Sequence, residues 1–474
     1  MSIVMALSPI LARAQEQLPL PKVLTPQPVV FVPLQIEDVL RSVENHYPLL
    51  LAVEQERQIA GGKVLSAQGA FDNIIKSSYQ NEPGNTSYPS NYFNFGIEQA
   101  TPFGGMSYFS GYRVSEGIFP DYYGYNVTGD GGEFRGGMTF PLLRDKAIDR
   151  RRANLAQAGI DRAIAEPVIR RQRLDAFRAA ARAYWAWVAT GQRLKITRKL
   201  LEIAQERDQA LAIRVQQGAI APIERTDNQQ TIADRQGRLA VAERRFQEAS
   251  FMLSLYYRDA LGRSVVVSED HLPTEMPELI AFDPARADEA IAVAVVYRPE
   301  LQRLRLQRER VEVDLRLAEN QTLPGVNAII AAAQDIGKGK KDLDRTTLEL
   351  AVGVDLPIQR RDARGKIVSA QAQMLQLAAQ ERMANDQITA EVRDTLSALD
   401  RAYAVRQRAK ERQNFAAQVE EGERRRLLLG QSNILTLNLR ELATFDAALT
   451  VIDAEFEYFR ALADYRAALG LDNP

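Results

Sequence analysis

The 474-residue chain contains no cysteine and only two histidines and two tryptophans. Without cysteine there is no disulfide, no thiolate metal site, no thiol nucleophile and no attachment point for an N-terminal bacterial lipid. His46 and His271 alone cannot supply a His-Cys metal or catalytic constellation, so neither a metal nor a cofactor is expected, and catalysis is not. An excess of charge of one sign is missing as well. Lys and Arg number 60 against 61 Asp and Glu, which leaves no electrostatic footprint for a nucleic-acid partner. No run of about twenty apolar residues occurs, so no transmembrane helix is expected, and any membrane crossing would have to use strands.

The beginning of the chain reads as a targeting segment. Residues 3–11 are largely apolar and are followed by Ala12-Arg13-Ala14, the small-x-small pattern of a signal-peptidase site, so residues 1–14 are expected to be an export signal. No Lys or Arg precedes the apolar run, and an ordinary apolar tail is the alternative. Residues 15–35 hold Pro19, Pro21, Pro26, Pro28 and Pro33, a composition that favours an extended arm.

Beyond the arm the chain falls into two copies of one order: helix, strand hairpin, long helix, glycine turn, helix. The first copy spans 36–262, with strands within 71–142, a long helix over 147–217, a turn at 218–222 and a helix over 223–261. A linker, 263–283, leads to the second copy, 284–470. Its helix at about 284–323 precedes strands at 325–334 and 347–358, a long helix over 360–429, a turn at 430–433 and a helix over 434–469. Gly218 and Gly430 sit at matching places in "VQQGAIAPIERTD" and "LLLGQSNILTLNL", where glycine ends a helix in a left-handed turn.

The helices after these glycines carry heptad spacing, clearest in Leu435, Asn438, Leu442, Phe445, Leu449, Ile452, Phe456 and Phe459. A coiled-coil seam and ordinary bundle packing both satisfy that pattern. Length separates a globular core from something taller, because a helix over 147–217 would run roughly 105 Å at 1.5 Å per residue. Its partner can only be two shorter helices stacked end to end, which gives a tall wall of antiparallel helices. Pro167 within the long helix removes one backbone donor and predicts a local bend.

The strand segments have two faces. In 347–358, Leu348, Leu350, Val352, Val354 and Leu356 alternate with Glu349, Ala351, Gly353 and Asp355. In 134–142, Phe134, Met138, Phe140 and Leu142 oppose Arg135, Gly137 and Thr139. A membrane barrel needs such strands, apolar toward lipid and polar or small toward the lumen, which makes Arg135, Thr139, Glu349 and Asp355 candidates for the lumen face. The first copy is the longer between its matching prolines, and residues 71–140 are crowded with aromatics, including Tyr79, Phe93, Phe95, Tyr122, Tyr123 and Tyr125. Such crowding suits an interfacial girdle. A soluble sandwich is the alternative. Two hairpins, or four strands, cannot enclose a lumen, so several chains would share one barrel.

At the level of "RPELQRLRLQRERVEVDLRLAENQTLPGVN", "VGVDLPIQRRDARGKIVSAQAQ", "ARAYWAWV" and "LGQSNILTLNLRELATFDAALTVIDAEFEYFRALADYRAALG", in that order, the chain resembles the TolC family of outer-membrane efflux proteins. The resemblance runs from Leu34 to Gly470. It implies a mainly α fold with a membrane β-barrel, assembled as a homotrimer. Four strands from each chain would form one twelve-stranded barrel in outer-membrane lipid, continued across the periplasm by a helical tunnel.

The glycine turns then lie at the periplasmic tip, where a periplasmic adaptor of an inner-membrane pump docks. The docking residues implied are Val215, Gly218, Ala219 and Ile220 on one turn and Leu429, Gly430, Gln431 and Ser432 on the other, with Arg214 and Arg424, Arg425 and Arg426 nearby. The basic run is equally readable as solvated helix surface. Relatives place acidic residues after the second turn to narrow the tunnel, whereas this chain has Thr436 and Leu439 there. A constriction would therefore draw on Glu224, Asp227, Thr436 and Asn438. The function implied is a passive exit duct for solutes. Alternatives are a channel of the same fold dedicated to polypeptide secretion, and a periplasmic coiled-coil scaffold with no channel.

Overall fold

The structure is a computed structural model that describes residues 32–82, 88–119, 127–274, 276–338 and 346–471. The expected export signal, nearly all of the proline-rich arm, the aromatics Tyr122, Tyr123 and Tyr125, and the centre of the loop between the last two strands lie outside the described residues. The chain is mainly helical, with one antiparallel sheet at one end.

Helices α1 (Ile36–His46), α2 (Pro48–Glu54) and α3 (Glu56–Gln68) lead into strand β1 (Ile74–Glu82), followed by β2 (Ser90–Ala100), β3 (Ser107–Gly117) and β4 (Glu133–Pro141). Then come α4 (Arg150–Gln216) and α5 (Pro222–Leu253). After a connecting segment, α6 (Ala287–Tyr297) and α7 (Pro299–Asn320) precede β5 (Gly325–Asp335) and β6 (Thr347–Asp355), and α8 (Arg361–Leu428) and α9 (Ile434–Ala468) complete the chain.

Three expectations from the sequence need correction. The single helices expected over 36–69 and 284–323 are interrupted at Tyr47 and Arg298, both in extended backbone. The cause is local: Pro48 and Pro299 crowd the residue before them out of helical geometry, then serve as first residues of new helices. Helix α5 stops at Leu253 instead of reaching residue 261. Beyond it, the Asp259 carboxylate accepts the Leu261 and Arg263 amides at 2.9 Å, and Arg258 bridges Ser264, so Ala260 and Gly262 lie in a side-chain-capped turn. The four strands anticipated per chain are six among the described residues, because within 71–142 these form four full strands and not one hairpin.

The sheet order is β1-β2-β3-β4-β5-β6, every neighbour antiparallel. Below it the helices form four columns. Helix α4 packs on α1, α2, α3 and α5 on one side and on α7 and α9 on the other, while α8 packs on α6, α7 and α9. At 1.5 Å per residue, the 67 residues of α4 and 68 of α8 each reach roughly 100 Å from the sheet. Pro167 is buried within α4, which continues on both sides of it.

The main core lies midway down the columns. Trp187, Tyr184, Val39, Val43 and Leu253 are fully buried there, and the Trp185 ring stacks on Phe459 at 3.9 Å between centroids. Tyr458 Oη clasps the connecting segment, accepting the Ile280 amide at 3.0 Å and donating to the Ile280 carbonyl at 2.9 Å. Gly191 in the middle of α4 makes room for that segment, since a Cβ there would stand 2.4 Å from Leu272 Cδ1 and the buried leucine side chain would have to shift.

Candidate functional site

Both helical hairpin turns are built the same way. At the end of α4, Gly218 takes φ +68°, its amide bonds the Val215 carbonyl at 3.0 Å, and the Ala219 amide bonds Arg214 at 2.9 Å. At the end of α8, Gly430 takes φ +71°, with the same pair of bonds to Leu427 at 3.0 Å and, from Gln431, to Arg426 at 2.9 Å. This is the Schellman arrangement, which satisfies carbonyls a helix end leaves open and needs the left-handed backbone that glycine adopts freely. A Cβ at either glycine would meet nothing within 4 Å, so the dihedral and not space selects the residue.

The two turns lie at the same end of the molecule, because Arg207 near the end of α4 bonds Asn438 and Glu441 near the start of α9. Around them Ile213, Ile223, Leu428, Leu429, Leu435 and Leu439 are exposed, Leu428 to 84%. Gln431 is exposed, and Ser432 donates to the buried Glu423 carboxylate, tying the second turn to α8. Arg424, Arg425 and Arg426 pair with Glu420, Glu421 and Glu423 one turn back on their own helix.

The residues considered for a constriction are not gathered into one cluster within the chain. Glu224 is exposed in the first turn of α5 and Asp227 is half-buried one turn on. Thr436 has a capping role: its amide and hydroxyl both donate to Asn433 Oδ1, at 2.8 and 2.9 Å, which closes the N-terminus of α9. Asn438 accepts from Arg207. The acidic group near this tip is one that the sequence reading missed. Glu441 is 3% exposed and receives both Arg207 and Arg235. Burial lowers the Arg207 pKa, with the Glu441 charge working against that shift. Glu441 sits seven residues after Ile434, on the heptad stripe's edge, a position that Glu455 shares, so nothing in the sequence singles it out.

At the other end, the strand register carries Arg135, Thr139, Glu349 and Asp355 to one face of the sheet. Arg135 pairs with Ala333 and so with Thr347; Thr139 pairs with Ile329 and so with Ala351. The same face holds Lys76 paired with Glu98, Arg113 paired with Glu133, and the Arg135 guanidinium over the Phe109 ring at 5.2 Å. Asp355 bonds Arg144 at the sheet's lower edge. The opposite face carries Ile75, Tyr79, Phe93, Phe95, Tyr112, Phe134, Met138, Ile330, Leu348, Leu350, Val352 and Val354. Leu350 is 70% exposed and Val354 69%, an apolar density that water alone does not explain. Among the described residues, no group of three or more His, Asp or Glu side chains could hold a metal ion, and no helix is long and apolar enough to cross a membrane.

The chain's overall shape is that of known channels. It superimposes with a TM-score of 0.67 on the open state of the Neisseria gonorrhoeae MtrE outer membrane channel, at 14% identity over 92% of this chain and 89% of that one. The outer-membrane channel OprN gives 0.66 at 13% identity over 92% and 89%. The outer membrane protein VceC of Vibrio cholerae gives 0.64 at 16% identity over 92% and 96%. No family model and no curated protein matches the sequence. The fold is therefore that of outer-membrane channel proteins, as the resemblance in the sequence implied.

Proposed function

We propose that the protein is a passive exit duct in the outer membrane. Copies of the chain, three by analogy with the resembling family, close the sheet into a barrel in lipid and the helical columns into a tunnel across the periplasm. The observation that carries this is the sheet itself: one face is predominantly apolar and aromatic and the other predominantly charged and small, most strictly on β6. A periplasmic scaffold has no use for the exposed Leu348, Leu350, Val352 and Val354, whereas a lipid-facing wall requires them. The doubled order of elements, with its internal repeat, belongs to the same reading.

The helical tips would dock a periplasmic adaptor coupled to an inner-membrane pump. Supporting this are two glycine turns side by side at one end, ringed by exposed Ile213, Ile223, Leu428, Leu429 and Leu435. Val215, Gly218, Ala219, Ile220, Leu429, Gly430, Gln431 and Ser432 are the contact residues of this proposal. Any narrowing of the tunnel would use Glu224, Asp227 and Asn438, with Thr436 committed to its helix cap. Solutes pass without chemistry by this chain, and the choice between small molecules and polypeptides rests with the pump.

Purified protein incorporated into planar bilayers tests the reading. Discrete single-channel conductance is expected. Stable oligomers that never conduct would leave the scaffold as the better account.

A further inference from the structure

We propose that the ring closes by pairing β1 of one copy with β6 of the next, with all six strands of each chain in the wall, so that three copies build an eighteen-stranded barrel. This rests on the trimeric channel reading above and replaces the twelve strands that resemblance implied.

The first support is that the apolar side chains of β2, and less strictly those of β1, where Ser77 and Asn81 share the face, alternate in phase with those of the other strands. Ile75 and Tyr79 on β1 and Phe93, Phe95 and Ile97 on β2 lie on the apolar side, with Lys76 and Glu98 paired on the polar side. A hairpin lying outside the wall would not need that alternation in phase with β3 to β6. The second is anchoring at the lower end. The turn between β2 and β3 closes through Thr101 and Met106 at 2.8 Å and rests on the loop ahead of α4, so close that a Cβ on Gly105 would stand 2.4 Å from the Asp145 carbonyl.

The third is stagger. The row of directly opposed residues through Lys76 passes Gly96, Gly111, Arg135 and Ala333 to reach Thr347. It leaves β1 two residues from the helix-side end and meets β6 eight residues from that end. A climb of about six residues over five strand steps, at ~3.3 Å and ~4.8 Å, tilts the strands by roughly 40°, within the range of closed barrels. The slant is shared by the whole sheet, β1 and β2 included.

The fourth is girth. Four helix columns about 8–10 Å apart occupy an arc of roughly 32–40 Å per chain. Six strands at that tilt cover roughly 38 Å, and four would cover only roughly 25 Å. Six strands therefore match the girth of the columns more closely than four.

The remaining edges match. Both β1 and β6 have nine residues, and they run in opposite senses relative to the helices, so β1 of one copy meets β6 of its neighbour antiparallel. Left open, two such edges would be sites of aggregation. Barrel diameter grows about linearly with strand number, so the lumen would be about 1.5-fold wider than that of a twelve-stranded barrel.

The absence of cysteine makes the test clean. Within one chain β1 and β6 stand five strand steps, roughly 24 Å, apart, beyond disulfide reach. The paired variants Gln80→Cys with Glu349→Cys and Ser78→Cys with Ala351→Cys are therefore expected to give covalent trimers on oxidation of the detergent-purified oligomer, and single variants none. Electron cryo-microscopy of the unmodified oligomer is expected to show eighteen strands. Conducting trimers whose cross-links run instead from Arg113→Cys on β3 to Glu349→Cys, or whose images show twelve strands, would overturn the eighteen-stranded wall and leave the channel intact. A monomer without conductance would overturn both.

Discussion

Glu441 of α9 and Arg235 of α5, distant in sequence, form an ion pair at 3.0 Å with both side chains almost wholly out of solvent. Arg207 of α4 takes the other carboxylate oxygen, and Arg235 also donates to the Leu200 carbonyl at 2.6 Å. Three helices are thus pinned together just above the tips. Two cations sharing one buried carboxylate tolerate its loss poorly, because each would be left desolvated and unpaired.

Glu441→Ala is accordingly expected to lower unfolding free energy by about 3–5 kcal/mol, and Glu441→Gln by less. Thermal unfolding followed by circular dichroism measures this. A change within about 0.5 kcal/mol for the alanine variant would mean that the cluster is hydrated in solution.

Gly430→Val forces a β-branched residue into φ +71°, at a cost of about 1–2 kcal/mol with no steric clash. Oligomers are expected to assemble while dye efflux in cells carrying the cognate pump falls; Gly430→Asn, which tolerates this backbone, should fall less. Normal efflux in the valine variant would argue against docking at this turn.

On the sheet, Leu350→Arg places a charge on the apolar face, and near the middle of a bilayer this costs about 2–4 kcal/mol. Impaired membrane insertion is expected. Glu349→Gln, on the other face, should leave insertion unchanged and shift the reversal potential measured in a salt gradient. Equal insertion of both variants would contradict the assignment of faces.

Trp187→Ala empties the centre of the main core, where the ring is fully buried between Tyr184 and Phe246. The expected loss is about 3–5 kcal/mol, read from denaturant midpoints.

One pH effect follows from the surface. The hydrogen bond from Arg57 at 2.7 Å holds the Glu166 carboxyl below its usual range. A depressed folded pKa contributes stability above the unfolded value and loses it as pH falls through the folded one. Because the pair is exposed, its worth is under about 1 kcal/mol. The stability difference between wild type and Glu166→Gln should therefore shrink from pH 7 to pH 3, and a difference that grows on acidification would contradict the sign.

Much of the fold was legible because its signals are local. The alternation of 347–355 is a property of neighbours in sequence, and β6 occupies Thr347–Asp355. Likewise a glycine between a long helical segment and a heptad stripe requires only the backbone of one helix end, and both turns have that form. The breaks at Tyr47 and Arg298 were equally local, written in Pro48 and Pro299, and were passed over because the surrounding helical composition is strong. In the aromatic-rich 71–142 segment, length was visible and strand number was not, since Gly, Ser and Tyr serve loops and strands alike.

The sequence by itself determined where the two glycine turns fall, which residues of a strand share a face, and that no thiol or disulfide chemistry is open to this chain. Those follow from dihedral preference, the two-residue repeat of a strand and simple composition. Only the tertiary structure decided that six strands share one sheet and that Glu441 meets Arg207 and Arg235. Strand pairing and a buried ion cluster depend on which distant segments meet, and no window of sequence encodes that meeting.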